Sequence, residues 1–288
     1  MDLRSLAQKL GLRLNNGQAR APCPICQPEH RKDQSALSIT FAGGKLLLYC
    51  FKSGCSYIDI VQAINAPIGG VQIDQAAQRQ SKRKQAEYAA HQLEKARSLW
   101  SASMPISGTK GEAYLRSRGI TTTLPDSLRW MPDIYHAPTS SWCSAMVAKV
   151  YPIGGVHRTF FTKKGKRVVK NAKMMLGPCA GGAVPLSDAS GPLVVCEGIE
   201  TGLSLLSGLL YERATVLAAL STSGMKALKL PANASDLLIA SDGDEPGRAA
   251  ATSLASRAAA TGWNVSMLPA PQGADWNDVL VDKKGVAK

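Results

Sequence analysis

The sequence predicts an α/β protein in three parts: a small N-terminal module built around cysteines, a basic mixed α/β subdomain, and a C-terminal parallel sheet flanked by helices. Three observations carry this reading. From Pro192 onward, short apolar segments alternate with helical ones, the rhythm of parallel strands covered on both faces. Four of the seven cysteines lie in the first 55 residues as two close pairs. The charge is unevenly divided: the net formal charge is +13, yet residues 191–288 carry 8 Lys/Arg against 10 Asp/Glu, while residues 1–190 carry 26 against 11.

Taken in order, residues 1–65 read as a self-contained module. Leu3, Leu6 and Leu10 suit a short helix that Gly11 can end. Pro22-Cys23-Pro24-Ile25-Cys26 is a tight turn, and residues 38–41 and 45–50 read as a hairpin joined at Gly43-Gly44. A helix is expected over residues 57–65. Pro67 and Gly69-Gly70 break the chain, and residues 74–103, with no Gly or Pro, predict a long exposed helix. Residues 66–105 are therefore read as a helical linker.

Residues 106–190 form the basic subdomain. A short helix is expected over residues 111–119, and strands over 145–151 and 156–162, with turns at Gly154-Gly155 and Lys163-Lys164-Gly165-Lys166. In residues 191–288 strands are expected over 193–196, 215–220, 236–241 and 263–268. Helices are expected over 201–210, 223–228 and 246–261, the last opening on Pro246.

Composition bounds the function. A sequence that is 45% hydrophobic supports packed cores. No apolar run approaches the roughly 18 residues of a membrane span, and Met1-Asp2-Leu3-Arg4 lacks the apolar start of a secretory signal. A cytoplasmic protein with no membrane partner is expected. The basic balance favours a polyanionic partner, nucleic acid before membrane surface.

In a cytosolic chain, paired cysteines point to metal before disulfides. The spacing is Cys23-x2-Cys26, 23 intervening residues, then Cys50-x4-Cys55. Zinc prefers four tetrahedral N/S ligands, and a Cys-x-x-Cys turn offers two thiolates from one knuckle. A module this small has little core of its own, so bound zinc would contribute folding energy directly. A zinc-ribbon module with Cys23, Cys26, Cys50 and Cys55 as ligands is expected, with His30 as a possible substitute.

The C-terminal carboxylates are read as falling at or just beyond strand ends. Glu197 follows Val194-Val195-Cys196, Asp242-Gly243-Asp244 follows Ile239-Ala240-Ser241, and Asp275 and Asp278 frame Asp275-Trp276-Asn277-Asp278. Open parallel sheets build their sites beyond the carboxyl ends of strands. Magnesium takes hard oxygen ligands, which clustered Asp and Glu supply.

Val194-Val195-Cys196-Glu197-Gly198 and Ile239-Ala240-Ser241-Asp242-Gly243-Asp244-Glu245-Pro246-Gly247-Arg248 resemble the Toprim domain of primases, topoisomerases and some nucleases. With the cysteine module, the whole chain looks like the small zinc-plus-Toprim DNA primases of phages, plasmids and other mobile elements. Further matching segments are Val156-His157-Arg158-Thr159, Lys173-Met174-Met175-Leu176-Gly177 and Glu197-Gly198-Ile199-Glu200-Thr201-Gly202. Replicative primases often have Asp where this chain has Thr201.

The resemblance implies an enzyme that makes short RNA primers on single-stranded DNA from ribonucleoside triphosphates. Glu197 would be catalytic, and Asp242, Asp244, Asp278 and Asp275 would bind Mg2+ or Mn2+. With no Walker-type segment in the sequence, the helicase is expected to be a separate partner. A Toprim nuclease and a non-catalytic zinc DNA-binding adaptor are the alternatives.

From Ile134 to Ser187 there is no acidic residue. Arg158, Lys163, Lys164, Lys166, Arg167, Lys170 and Lys173 cluster there with Phe160 and Phe161 among them. Cations beside aromatics suit single strands, where phosphates are neutralised and bases stack. These cations could equally hold a nucleoside triphosphate.

Overall fold

A computed structural model describes residues 14–15, 18–29, 31, 34–42, 45–64 and 75–285. The expected first helix, the Gly43-Gly44 turn, the break around Pro67 and the possible ligand His30 lie outside the described residues. The chain divides into two compact units, Met1–Ser81 and Lys82–Lys288.

The first unit is an antiparallel meander in the order β1 (Leu14–Asn15), β2 (Gln18–Ala21), β3 (Leu37–Ala42) and β4 (Lys45–Cys50), followed by helix α1 (Tyr57–Ala63). Its core holds few large side chains, chiefly Leu37, Ile39, Leu48 and Ile60, with Cys23 and Cys50 buried among them. So small a core leaves stability to be supplied elsewhere.

Helix α2 (Gln75–Ala102) crosses the division between the units. The sequence predicts it as exposed. Its last turns are instead packed: Ala96 is fully buried, and Leu99 and Trp100 join the cluster of Cys143, Ala145, Val147 and Phe160. The alanine and glutamine content that signals helix does not reveal that one late stripe meets a sheet.

That sheet has the order β5 (Met104–Pro105), β6 (Leu128–His136), β7 (Ser141–Lys149), β8 (Val156–Phe161) and β9 (Lys173–Leu176), all antiparallel. Helix α3 (Lys110–Ser117) lies between β5 and β6 in sequence, and the Thr109 hydroxyl caps it by accepting from the N–H groups of Gly111 and Glu112.

The C-terminal sheet runs β10 (Val184–Ser187), β12 (Thr215–Ala218), β11 (Leu193–Cys196), β13 (Asp236–Ala240), β14 (Asn264–Met267). The last four are parallel, and β10 adds an antiparallel edge from the preceding segment. Helices α4 (Ile199–Leu206) and α7 (Trp276–Lys284) cover one face, with Leu203 and Leu280 in its core. Helices α5 (Thr222–Ala227) and α6 (Glu245–Ala259) cover the other, through Met225, Ala250 and Leu254.

Leu115, Trp130, Met146 and Phe161 share one continuous core with Val194, Leu203 and Val216. The basic sheet and the parallel sheet are thus built on common buried apolar surface, the largest favourable contribution to such a union. Among the described residues, no helix is long and apolar enough to cross a membrane.

Candidate functional site

Two clusters stand out, one in each unit. In the first, the Sγ atoms of Cys23, Cys26, Cys50 and Cys55 all lie within 4.8 Å of one another. Tetrahedral zinc with bonds of about 2.3 Å places its sulfurs about 3.8 Å apart. The Cys26–Cys50 separation is 3.4 Å. The donor set and its spacing fit zinc.

The knuckle is tied down by a residue the sequence reading missed. Buried Gln27 accepts from Cys23 N at 3.1 Å and Ala36 N at 3.0 Å, joining the first ligand turn to the start of β3. A glutamine beside a Cys-x-x-Cys turn gives no sequence signal of that role. At the second pair, burial pushes the Cys50 thiol up, but the N–H groups of Ser53, Cys55 and Lys52 outweigh it and bring the thiol well below its usual range. A thiolate is the form that binds metal.

The second cluster sits at the carboxyl end of the parallel sheet. β11 is central: the chain goes to β12 on one side of it, then crosses to β13 on the other. This is the switch point at which open α/β sheets form crevices. Register pairs Cys196 with Ala240, so Glu197 and the Asp242 loop leave adjacent strands at the same end.

Glu197 is held by the N–H of Thr222, and its carboxyl is pushed up to about 7 by burial and by Asp242 and Asp244. Asp242 is pushed up to about 6 by burial, then by Asp275 and Asp244. Thr201 donates to it weakly, at 3.4 Å. Gly243 makes the tight loop possible: a Cβ there would lie 1.8 Å from the Pro271 carbonyl oxygen, a backbone clash. Asp244 caps α6 by accepting from Gly247 N at 2.7 Å.

Asp275 and Asp278 stand at a helix start, not at a strand end. Asp275 is the N-cap of α7, and the two carboxylates exchange backbone hydrogen bonds in a capping box. The sequence reading took this segment as strand-end acids and did not identify α7. The Asp-x-x-Asp spacing was the available signal. Asp275 still reaches the cluster through its effect on Asp242. Mutual repulsion among Glu197, Asp242, Asp244 and Asp275 makes an oxygen-rich, anionic setting that suits a hard divalent cation. Among the described residues it is the cysteines, not these carboxylates, that are already drawn together around one point.

The basic sheet enters this site through Lys173 on β9. Its Nζ pairs with Glu200 at 3.0 Å, and its charge also lowers the carboxyls of Glu197 and Asp242. Glu200, on α4, is buried and also accepts from Tyr114 Oη at 3.2 Å. Burial alone would raise its carboxyl, but Lys173 overrides it and holds the group at about 2. Glu200 and Tyr114 escaped the sequence reading; Glu200 lies in a matching segment, but nothing there identifies Lys173 as its partner.

The remaining basic residues divide. Lys164, Lys166, Arg167 and Lys170 are exposed. Lys163 pairs with Asp133 and donates to the Pro132 carbonyl. Arg158 is half-buried, donates to Met175 O at 3.0 Å and lies over the Phe160 ring, so its guanidinium is engaged within the sheet. Phe160 and Phe161 are core residues, 1% and 0% exposed, and cannot stack on a base. Their neighbours in sequence are cations, but β-strand alternation and two-sided burial take both rings inside.

Two domain families match the chain. Residues 192–285 match the Toprim domain, and residues 90–186 match a domain of unknown function (DUF7146). The C-terminal sheet with its carboxylates is thus a Toprim domain. No curated protein matches the chain in sequence.

Solved structures similar to it at low identity include the following three. The zinc-binding and RNA polymerase domains of the Aquifex aeolicus primase are 17% identical, with a TM-score of 0.42 over 99% of this chain and 80% of that one. A DNA primase domain from Pseudomonas aeruginosa is 15% identical, with a TM-score of 0.31 over 62% of this chain and 56% of that one. The primase fragment of the bacteriophage T7 primase-helicase protein is 14% identical, with a TM-score of 0.30 over 93% of this chain and 95% of that one.

Proposed function

We propose that the chain is a DNA primase that copies single-stranded DNA into short RNA primers by metal-dependent nucleotidyl transfer. One observation carries the reading: Glu197 and the Asp242 loop leave adjacent strands at the switch point, and Lys173 reaches Glu200 beside them from a sheet segment that has no acids. An anionic catalytic centre beside a cationic surface is what transfer between phosphorylated polymers needs.

In this reading Glu197, its carboxyl raised by burial and by Asp242 and Asp244, takes a proton from the attacking hydroxyl. Asp242, Asp244 and Asp275 would hold Mg2+ or Mn2+, with Asp278 supporting Asp275 through the capping box. When bound, such ions activate a hydroxyl and stabilise charge on the departing pyrophosphate. Lys173 offsets phosphate charge at the mouth of the site while Glu200 fixes its position. Lys163, Lys164, Lys166, Arg167 and Lys170 would attract template or triphosphate; Arg158 would contribute its charge from within the sheet. The Cys23, Cys26, Cys50, Cys55 zinc module would contribute to template recognition, and a separate helicase belongs to the same reading.

The test is primer synthesis on varied single-stranded DNAs, with labelled ribonucleotides and Mg2+ or Mn2+, beside Glu197→Gln. Short template-dependent products that fall at least about 100-fold in the variant support the reading. Metal-dependent shortening of the DNA would identify a nuclease instead. Tight binding with neither activity would identify an adaptor.

A further inference from the structure

We infer that Tyr135 and Trp142 form a base-stacking platform for single-stranded DNA, on the same face of the basic sheet as Lys173. The inference rests on the reading that the chain handles single-stranded DNA, and adds where its bases are held.

The two rings are cross-strand partners on β6 and β7, with centroids 5.9 Å apart in an edge-to-face arrangement. They are 50% and 63% exposed, whereas Phe160 and Phe161 are internal. Strand alternation fixes their face. Met146 and Ala148 point to the core shared with the Toprim sheet; Cys143, Ala145 and Val147 point to the α2 side. Trp142 is even-numbered on the same strand and shares the first face. Lys173 pairs with Thr159, which pairs with Met146, so Lys173 shares it too. Trp142 lies four residues from Met146, about 14 Å along the strand.

A lysine-rich turn lies beside the strands that carry the pair. The β7–β8 register matches Ser144 with Phe161, and the chain then turns through Lys163, Lys164 and Lys166 beside the start of β7. Lys163 reaches across to Pro132 and Asp133, next to the start of the Tyr135 segment. Lys110, at the start of α3, donates to the Lys163 carbonyl and brings a further cation to the turn. Two solvent-facing rings, with a lysine-rich turn beside their strands and on a face that leads to a phosphoryl-transfer site, match the chemistry of a single strand. Phosphates meet ammonium groups, and bases, each with a π-face, meet the rings. Such a site tolerates any sequence, which suits a track more than a reading head.

The test uses the full chain with a labelled deoxythymidine oligonucleotide and an abasic strand of the same length and phosphate count. The wild type is expected to bind the base-bearing strand at least about tenfold more tightly. Tyr135→Ala with Trp142→Ala should bring the two strands to equal affinity, while Trp142→Phe, which keeps a ring, should preserve the preference. Trp142 is the most exposed indole, so base-bearing DNA should quench tryptophan emission in the wild type and much less in Trp142→Phe. Equal affinity of the wild type for both strands overturns the platform, as does a preference that survives the double substitution. Quenching that persists in Trp142→Phe overturns it as well. Primer synthesis with base-blind binding sinks the platform alone; a base preference without primer synthesis sinks the primase reading alone.

Discussion

Lys173 and Glu200 show how one contact serves both stability and charge placement. Glu200 is buried and ionised, a state that costs several kcal/mol unless it is paired. Lys173 is half exposed, so its side of the pair is screened and worth less than a fully buried one. Lys173→Met should destabilise the second unit by on the order of 2 kcal/mol, because it leaves a carboxylate without its partner. Adding Glu200→Gln should recover part of that loss in a double-mutant cycle, read by denaturant unfolding. Primer synthesis should not recover with it, since the cation at the mouth of the site remains absent. Recovery of both would make the pair purely structural.

At the scale of elements, the cysteine module and the carboxylate loops solve positioning in different ways. The module has little apolar core, and its four thiols are buried or half-buried around one point. Removing metal should therefore unfold it: chelation or Cys23→Ser should abolish the first unit's melting transition and release about one zinc by elemental analysis. The Lys82–Lys288 unit, with its own large core, should keep its transition. An unchanged metal content in Cys23→Ser would rule out the ligand assignment. The carboxylate loops are instead held by caps and turns. Asp244 caps α6, Asp275 and Asp278 cap α7, and Gly243 lets the chain pass close to Pro271.

For the whole molecule, the buried Glu200 and the half-buried Glu197 and Asp242 impose opposing pH dependences. Glu200 is depressed from 4.5 to about 2, so its contribution is present above the unfolded value and is lost as pH falls through that interval. Glu197 and Asp242 are raised, to about 7 and about 6, from 4.5 and 3.8. The folded state then binds more protons than the unfolded one, and stability falls as pH rises across those intervals. Without divalent ions, the melting transition of the Lys82–Lys288 unit should therefore be highest near pH 4–5, in the unfolded carboxylate range, and decline toward neutrality. Mg2+ should restore stability at pH 7–8 and do little at pH 5. A flat profile from pH 5 to 7.5 in a chelating buffer, unaltered by Mg2+, would show that the carboxylates do not repel one another as arranged here.

Much of this architecture was legible in the sequence because its signals are local. Cysteine spacing alone pointed to the four-thiol cluster, since a Cys-x-x-Cys turn and a hairpin set their own geometry. The alternation from Leu193 to Met267 revealed four parallel strands with small errors at their ends. Glu197 and the Asp242-Gly243-Asp244 loop followed from strand-end position. What only the tertiary structure decided depends on contacts distant in sequence. β10 crosses from the basic segment to edge the Toprim sheet, and the last turns of α2, otherwise exposed in its described residues, pack against the basic sheet. Phe160 and Phe161 go inward while Tyr135 and Trp142 stay in solvent. Lys173 meets Glu200 across 27 residues of chain. Residue type and spacing report what a segment can bury or bind. Which partner it meets is set by the packing of one sheet against another, where burial makes a charge costly and a single ion pair decides its state.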